Sequence, residues 1–107
     1  MDLKNTNNIF DIQLLENFNE ELIDDILSGK EFRIERIIST GQTSDWYDQE
    51  ENELVILLQG LAKIEYEENV IKEVNVGDYF LIKAHEKHRV IYTSKNPACV
   101  WLCIFYK

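Results

Sequence analysis

The sequence predicts an all-β fold, an antiparallel sandwich or barrel, preceded by a short N-terminal helix. Three observations carry this. From Glu31 onward, runs rich in Val, Ile, Tyr and Phe are separated by turn residues at intervals of roughly 8–12 positions. No interval between these runs is long enough for the crossover that a parallel pair of strands requires. The chain has 107 residues, 45% of them hydrophobic and 29% charged, which is one domain's length and enough to bury a core without disulfides or structural metal.

The elements follow in order. Residues 1–8 are polar and Asn-rich and read as a frayed end. The segment Asn17 to Gly29 reads as a helix. Asn17 or Asn19 can cap it, Glu20 and Glu21 suit the positive end of its dipole, and Gly29 can close it. Leu22, Ile23, Ile26 and Leu27 then share one face, which would pack on the main domain. Residues 1–30 are therefore expected to be an N-terminal extension and residues 31–107 the β domain. Phe32 to Ser39 places Phe32, Ile34 and Ile38 on one side. Glu53 to Gln59 is an apolar run ended by Gly60, and Leu61 to Glu67 alternates Ala62, Ile64 and Tyr66 with charged residues. Glu67-Glu68-Asn69 is a hairpin turn, Val70 to Val76 follows, and Gly77-Asp78 turns the chain again. Tyr79 to Ile82, His88 to Thr93 and Ala98 to Tyr106 complete the set, with Lys95-Asn96-Pro97 as the last turn. Cys99 and Cys103 lie in the last strand, where four residues span ~13 Å. That exceeds the ~7 Å a disulfide allows between Cα atoms, so both read as reduced core thiols.

Twenty acids against eleven bases give a formal charge of -9, so nucleic acid and anionic membrane are not expected partners. The longest apolar run, Cys99 to Tyr106, is far short of the ~20 residues of a membrane helix. The first residues carry no basic region followed by an apolar stretch. These features suit a cytoplasmic protein.

Two stretches could carry chemistry. Gly41 to Glu53 holds five carboxylates between Asp45 and Glu53, and no Lys or Arg occurs from Ile37 to Ala62. Glu53 opens an apolar strand and is the acid most exposed to burial, which requires a partner. The stretch Gly77 to Val90 contains both histidines, His85 and His88. Imidazole and carboxylate together suit a divalent transition metal. Trp46 and Tyr47 could wall a pocket. Arg89 could pair with a loop acid or face an anionic substrate.

The order of these glycines, acids and histidines resembles the cupin superfamily, in particular small single-domain bacterial cupins, over about residues 31–107. The first cupin motif ends in Glu, six residues and Gly, as do Glu53 and Gly60 here. The second runs Gly, five residues, Pro-x-Gly, two residues, His; here Gly77 precedes Lys83-Ala84-His85 and His88. The resemblance implies a cupin-like jelly-roll β-barrel, with Glu53 and His88 in two of the four usual metal-ligand places. The two histidines of the first motif are missing. A four-residue spacer puts their places on Trp46 and Asp48, a three-residue spacer on Tyr47 and Gln49. The expected metal set is thus Asp48, Glu53 and His88, with Gln49 or His85 as a further contact, holding zinc, manganese, iron or nickel. Such a centre could support a metal-dependent enzyme acting on a small polar substrate. The alternative is a small-ligand-binding module that uses no metal and performs no catalysis. A regulatory role for the acidic N-terminal segment ranks behind both. An open sheet edge needs covering, so a homodimer is expected.

Overall fold

In the computed structural model, which describes residues 6–12 and 19–107, eight strands form two facing antiparallel sheets. They are β1 (Leu22–Ser28), β2 (Phe32–Ser39), β3 (Asn52–Gln59), β4 (Ala62–Tyr66), β5 (Val70–Val74), β6 (Tyr79–Ile82), β7 (His88–Thr93) and β8 (Cys99–Tyr106). One sheet has the order β1-β2-β8-β3-β6 and the other β5-β4-β7. This is the jelly-roll barrel, and seven of the strands lie where the turn residues placed them. The hairpin between β4 and β5 is a 3₁₀ turn at Glu67–Asn69 in which Glu68 and Asn69 take positive φ. Among the described residues no helix is long and apolar enough to cross a membrane.

The N-terminal helix is the one element that differs. Leu22–Ser28 is a strand that pairs with β2, Leu22 opposite Ile38 and Ser28 opposite Arg33; residues 17–18 of the expected helix lie outside the described residues, as do 1–5 of the expected frayed end. The reason is local. A bulge between Asp25 and Leu27 shifts the register, so the apolar residues do not alternate with period two and instead mimic a helical face. The unpaired edge of β2 supplies the backbone partners that a lone helix end would lack. Arg36 on β2 then holds Asp24 of β1 and donates to the carbonyls of Ile9 and Asp11, at 3.0 and 2.8 Å.

Register sets what faces the barrel. β2 and β3 both flank β8, so Arg33, Phe105 and Glu53 form one inward row, Glu35, Cys103 and Val55 the next, and Ile37, Trp101 and Leu57 the third. Across the barrel, Ile64 and Val90 are paired. The core comprises Val55, Leu57, Ala62, Ile64, Val74, Phe80, Ile82, Cys99, Trp101, Cys103 and Phe105, and both cysteines are free and buried. Alternation turns Ile34, Leu54, Ile56, Leu102 and Ile104 to the outer face of the larger sheet, where they are half-buried beside exposed Tyr79 and Leu81.

The segment 42–49 closes the barrel along β7. Ser44 N–H donates to Val90 O at 2.9 Å, Tyr47 N–H to His88 O at 2.7 Å and His88 N–H to Tyr47 O at 3.2 Å. At the far end, Gly60 turns the chain from β3 to β4 with φ of +95°, and a Cβ there would meet Cys99 Sγ and Ser94 Oγ at 2.8 Å and Cys99 Cα at 2.9 Å. Gly60→Ala is therefore expected to lose roughly 2–4 kcal/mol from left-handed strain plus overpacking. Gly41→Ala, at φ of +93° but with nothing within 4 Å, should lose only about 1–2 kcal/mol. Urea midpoints of the two variants check this; equal losses would contradict it.

Candidate functional site

The two sheets enclose a cavity of about 320 Å³. Its walls are apolar, from Ile23, Ile37, Val55, Ile64, Ile82, Val90, Trp101 and Phe105. Glu53 begins its polar side. The residue is 8% exposed, because it stands at the inward start of an apolar strand. Gln49 donates from Nε2 to its Oε1 at 3.2 Å, and the buried Cys103 stands on the neighbouring strand β8 in the next inward row. Burial pushes the Glu53 carboxyl above its ordinary value of 4.5, while the neighbouring Cys103 thiol, the bond from Gln49 and the nearby His88 and Arg33 pull less strongly the other way. Burial first, then the adjacent Glu53 carboxylate, pushes the Cys103 thiol well up, so it remains protonated.

His88 opens β7 and is 4% exposed. Its Nδ1 lies 2.9 Å from the carbonyl oxygen of Glu86. A carbonyl only accepts, so Nδ1 carries a proton toward it, and Nε2 is the ring nitrogen left for other partners. Nε2 has no partner among the described residues, yet no fully sealed side-chain nitrogen or oxygen lacks one; the atom therefore opens onto the cavity that His88 lines. Tyr47 stacks beside it with ring centroids 5.5 Å apart. Burial, and then the Glu21 carboxylate, raise the Tyr47 phenol.

Placement of the expected site residues divides cleanly. Tyr47, Gln49, Glu53 and His88 line the cavity. Asp48 and His85 do not reach it. They pair with each other on the exposed rim, His85 Nδ1 to Asp48 Oδ1 at 2.8 Å, because the extended segment alternates and 47 and 49 face inward. Of the two spacer alternatives, the residues of the three-residue one, Tyr47 and Gln49, line the cavity, and Trp46 and Asp48 do not. Trp46 and Arg89 also face outward. Arg89 binds Glu65, its cross-strand partner, and lies 4.8 Å from the Trp46 ring centroid.

Four polar wall residues had no signal in the sequence: Glu21, Arg33, Glu35 and Ser39. In β2 the apolar residues Phe32 and Ile34 face outward and the charged Arg33 and Glu35 face the barrel, the reverse of a simple amphipathic strand. Only the pairing with β8 reveals this. Arg33 is held by Glu51 and by Glu35, the latter at 3.3 Å, and lies 3.9 Å over Phe105. Trp101 Nε1–H donates to Ser39 Oγ at 3.2 Å, and Ser39 Oγ–H points to Glu21 at 3.4 Å. Burial raises the Glu21 carboxyl.

The cupin-type ion can be tested against these donors. Among the described residues, no three His, Cys, Asp or Glu side chains converge so as to hold a metal. Gln49 already commits its amide nitrogen to Glu53 and to Glu51 O, both at 3.2 Å, and the Cys103 thiol keeps its proton. The residues present do not fit a resident divalent ion.

The acid itself makes a stability prediction. A carboxyl whose folded value is raised favours folding while protonated, and that contribution is lost as pH rises from 4.5 through the higher folded value. Glu53→Gln keeps the shape and removes the titration. Its stability advantage over the parent chain should be smallest at pH 4 and grow toward pH 7, as read from urea midpoints at both pH values; a constant or shrinking advantage would contradict the buried-acid assignment.

Residues 35–105 match the family model described as the cupin domain. No curated protein matches the chain. Among solved structures, a provisionally assigned mannose-6-phosphate isomerase from Ralstonia eutropha is 33% identical, covering 96% of this chain and 98% of its own, with a TM-score of 0.88. A cupin superfamily protein from Desulfitobacterium hafniense is 17% identical over 87% of this chain and 83% of its own, with a TM-score of 0.74. A polyketide cyclase from Streptomyces resistomycificus is 16% identical over 82% and 66%, with a TM-score of 0.72. The last two share the fold. With the match spanning both sheets and the cavity between them, the chain belongs to the cupin family.

Proposed function

We propose that this cupin binds a small organic molecule directly on the side chains of its barrel cavity, without a metal ion. The observation that carries the reading is the pair Tyr47 and Gln49. They face the cavity at the places that a three-residue spacer gives the first motif's histidines, and they leave an apolar chamber with one buried acid and one open imidazole nitrogen. Its volume, about 320 Å³, lies in the range of small-molecule pockets. Glu53 and Nε2 of His88 would orient the ligand, and the apolar walls would supply affinity. A sugar phosphate, the substrate class in the name of the Ralstonia eutropha relative, would need a cation to receive it. The one guanidinium on the wall is occupied by Glu51 and Glu35.

The outer face of the larger sheet supports a second part of the reading. Leu54, Ile56, Leu102 and Ile104 form an apolar surface that a second copy of the chain would cover, and β1 leaves an open edge beside it. The functional unit we propose is a homodimer, which light scattering would register as twice the 12.7 kDa chain mass.

The test of ligand binding is a thermal-shift screen of chelator-treated protein against sugars, small alcohols, amines and carboxylates. At 100 times its Kd, a bound compound adds about 2.7 kcal/mol of stability, several degrees in the melting temperature. The reading expects hits that survive chelation and disappear in Ile64→Trp, which fills the cavity. Near-stoichiometric zinc, manganese, iron or nickel in protein purified without chelator, lost in Glu53→Gln and His88→Ala and required for every hit, would overturn it in favour of a metal-dependent enzyme.

A further inference from the structure

We infer that the cavity selects a ligand bearing a protonated amine on a compact apolar body, and rejects carboxylated or phosphorylated molecules of the same size. The inference rests on the reading that the cavity binds a small organic molecule, and goes on to name its class.

The charge inventory of the wall comes first. Among the described residues three carboxylates line it, those of Glu21, Glu35 and Glu53, with Arg33 as the only Lys or Arg. That guanidinium is shared between Glu35 and Glu51 and stacked on Phe105. Its charge is already matched, so among the described residues the wall offers an incoming anion no free cation and three acidic groups. Glu21 is exposed to solvent, whereas Glu53 is buried among apolar walls, where its charge is weakly screened.

The hydrogen-bond inventory points the same way, independently of charge. His88 is 4% exposed. With Nδ1–H held on the Glu86 carbonyl, it turns Nε2 to the chamber, where that atom has no partner among the described residues. Gln49 spends its amide hydrogens on Glu53 and Glu51 O, leaving its oxygen as the free valence. The Ser39 hydroxyl hydrogen turns to Glu21. Acceptors therefore predominate among the open valences, and their complement is a group with several N–H donors. An ammonium supplies three. The faces of Tyr47, Trp101 and Phe105 border the same space and suit a cation further. Burial raises both Glu21 and Glu53, and a bound cation would relieve that cost.

The experiment uses an isosteric set on metal-stripped, full-length protein: cyclohexylamine, cyclohexanol, cyclohexanecarboxylate and cyclohexyl phosphate, by isothermal titration calorimetry at pH 7. The expected result is that the amine binds at least ~10-fold more tightly than the alcohol, a difference of about 1.4 kcal/mol, and that the two anions do not bind. Glu53→Gln and, separately, Glu21→Gln should each weaken the amine more than the alcohol, shrinking the difference between them. Ile64→Trp, or Val90→Phe should the first not fold, should abolish amine binding at unchanged net charge. If the alcohol or an anion binds as tightly as the amine, the ligand class is overturned while the pocket reading stands. If the amine binds equally well to the cavity-filled variants, it binds the acidic surface instead, and the inference fails. If none of the four binds, the inference and the reading beneath it fail together.

Discussion

The burial of one carboxyl governs the rest of the barrel interior. Glu53 sits at the inward start of β3 in a row with Phe105 and Arg33, where little of it is open to bulk solvent. A lone ionised acid in such a place would cost several kcal/mol. The protein offsets this with neighbours. Gln49 donates from the closing segment, the protonated Cys103 thiol stands beside the acid on β8, and the charge of Arg33 lies one strand further along. Each is fixed by something else. The backbone exchange between Tyr47 and His88 sets the face of Gln49, the burial of Cys103 keeps its proton on sulfur, and Glu51 and Glu35 anchor Arg33. The polar side of the cavity is thus one linked arrangement around one acid.

That arrangement underlies the proposal that this barrel binds an organic ligand directly. A metal-binding cupin collects several imidazoles and a carboxylate on one point, and the ion neutralises the acid. Here Tyr47 and Gln49 line the cavity beside Glu53. The acid is instead held by the hydrogen bond from Gln49, and burial raises its carboxyl above the ordinary value. A hard or borderline cation finds too few converging donors, whereas an organic molecule finds shaped apolar walls and a few directional acceptors. The fold alone does not choose between these outcomes; the side chains at four positions do.

Much of this was legible in the residues. The strands from β2 to β8 are bounded by Gly, Pro, Asn and Asp at turn spacing, and that signal is local. Glu53 and His88 were legible because an acid opening an apolar run, and a histidine following a glycine turn, stand out from their surroundings. β1 was not, because the bulge near Ile26 broke its alternation and left a pattern that a helix also satisfies. Arg33, Glu35 and Ser39 were hidden for a different reason. Both faces of β2 and β8 carry apolar residues, so only the cross-strand register decides which face is inside, and register is a long-range property. The choice between Asp48 and Gln49 turned on a single residue of phase, which the hydrogen bonds of the closing segment to β7 determine.

The most direct test is the titration of Glu53 itself, followed by the NMR shift of its side-chain carboxyl carbon in labelled protein purified without chelator and assigned by comparison with Glu53→Gln. A buried acid held by neutral donors should titrate above the ordinary 4.5. A midpoint below that value would mean that a cation, metal or otherwise, stands against the carboxylate, and would contradict the account of a cavity organised around an acid without one.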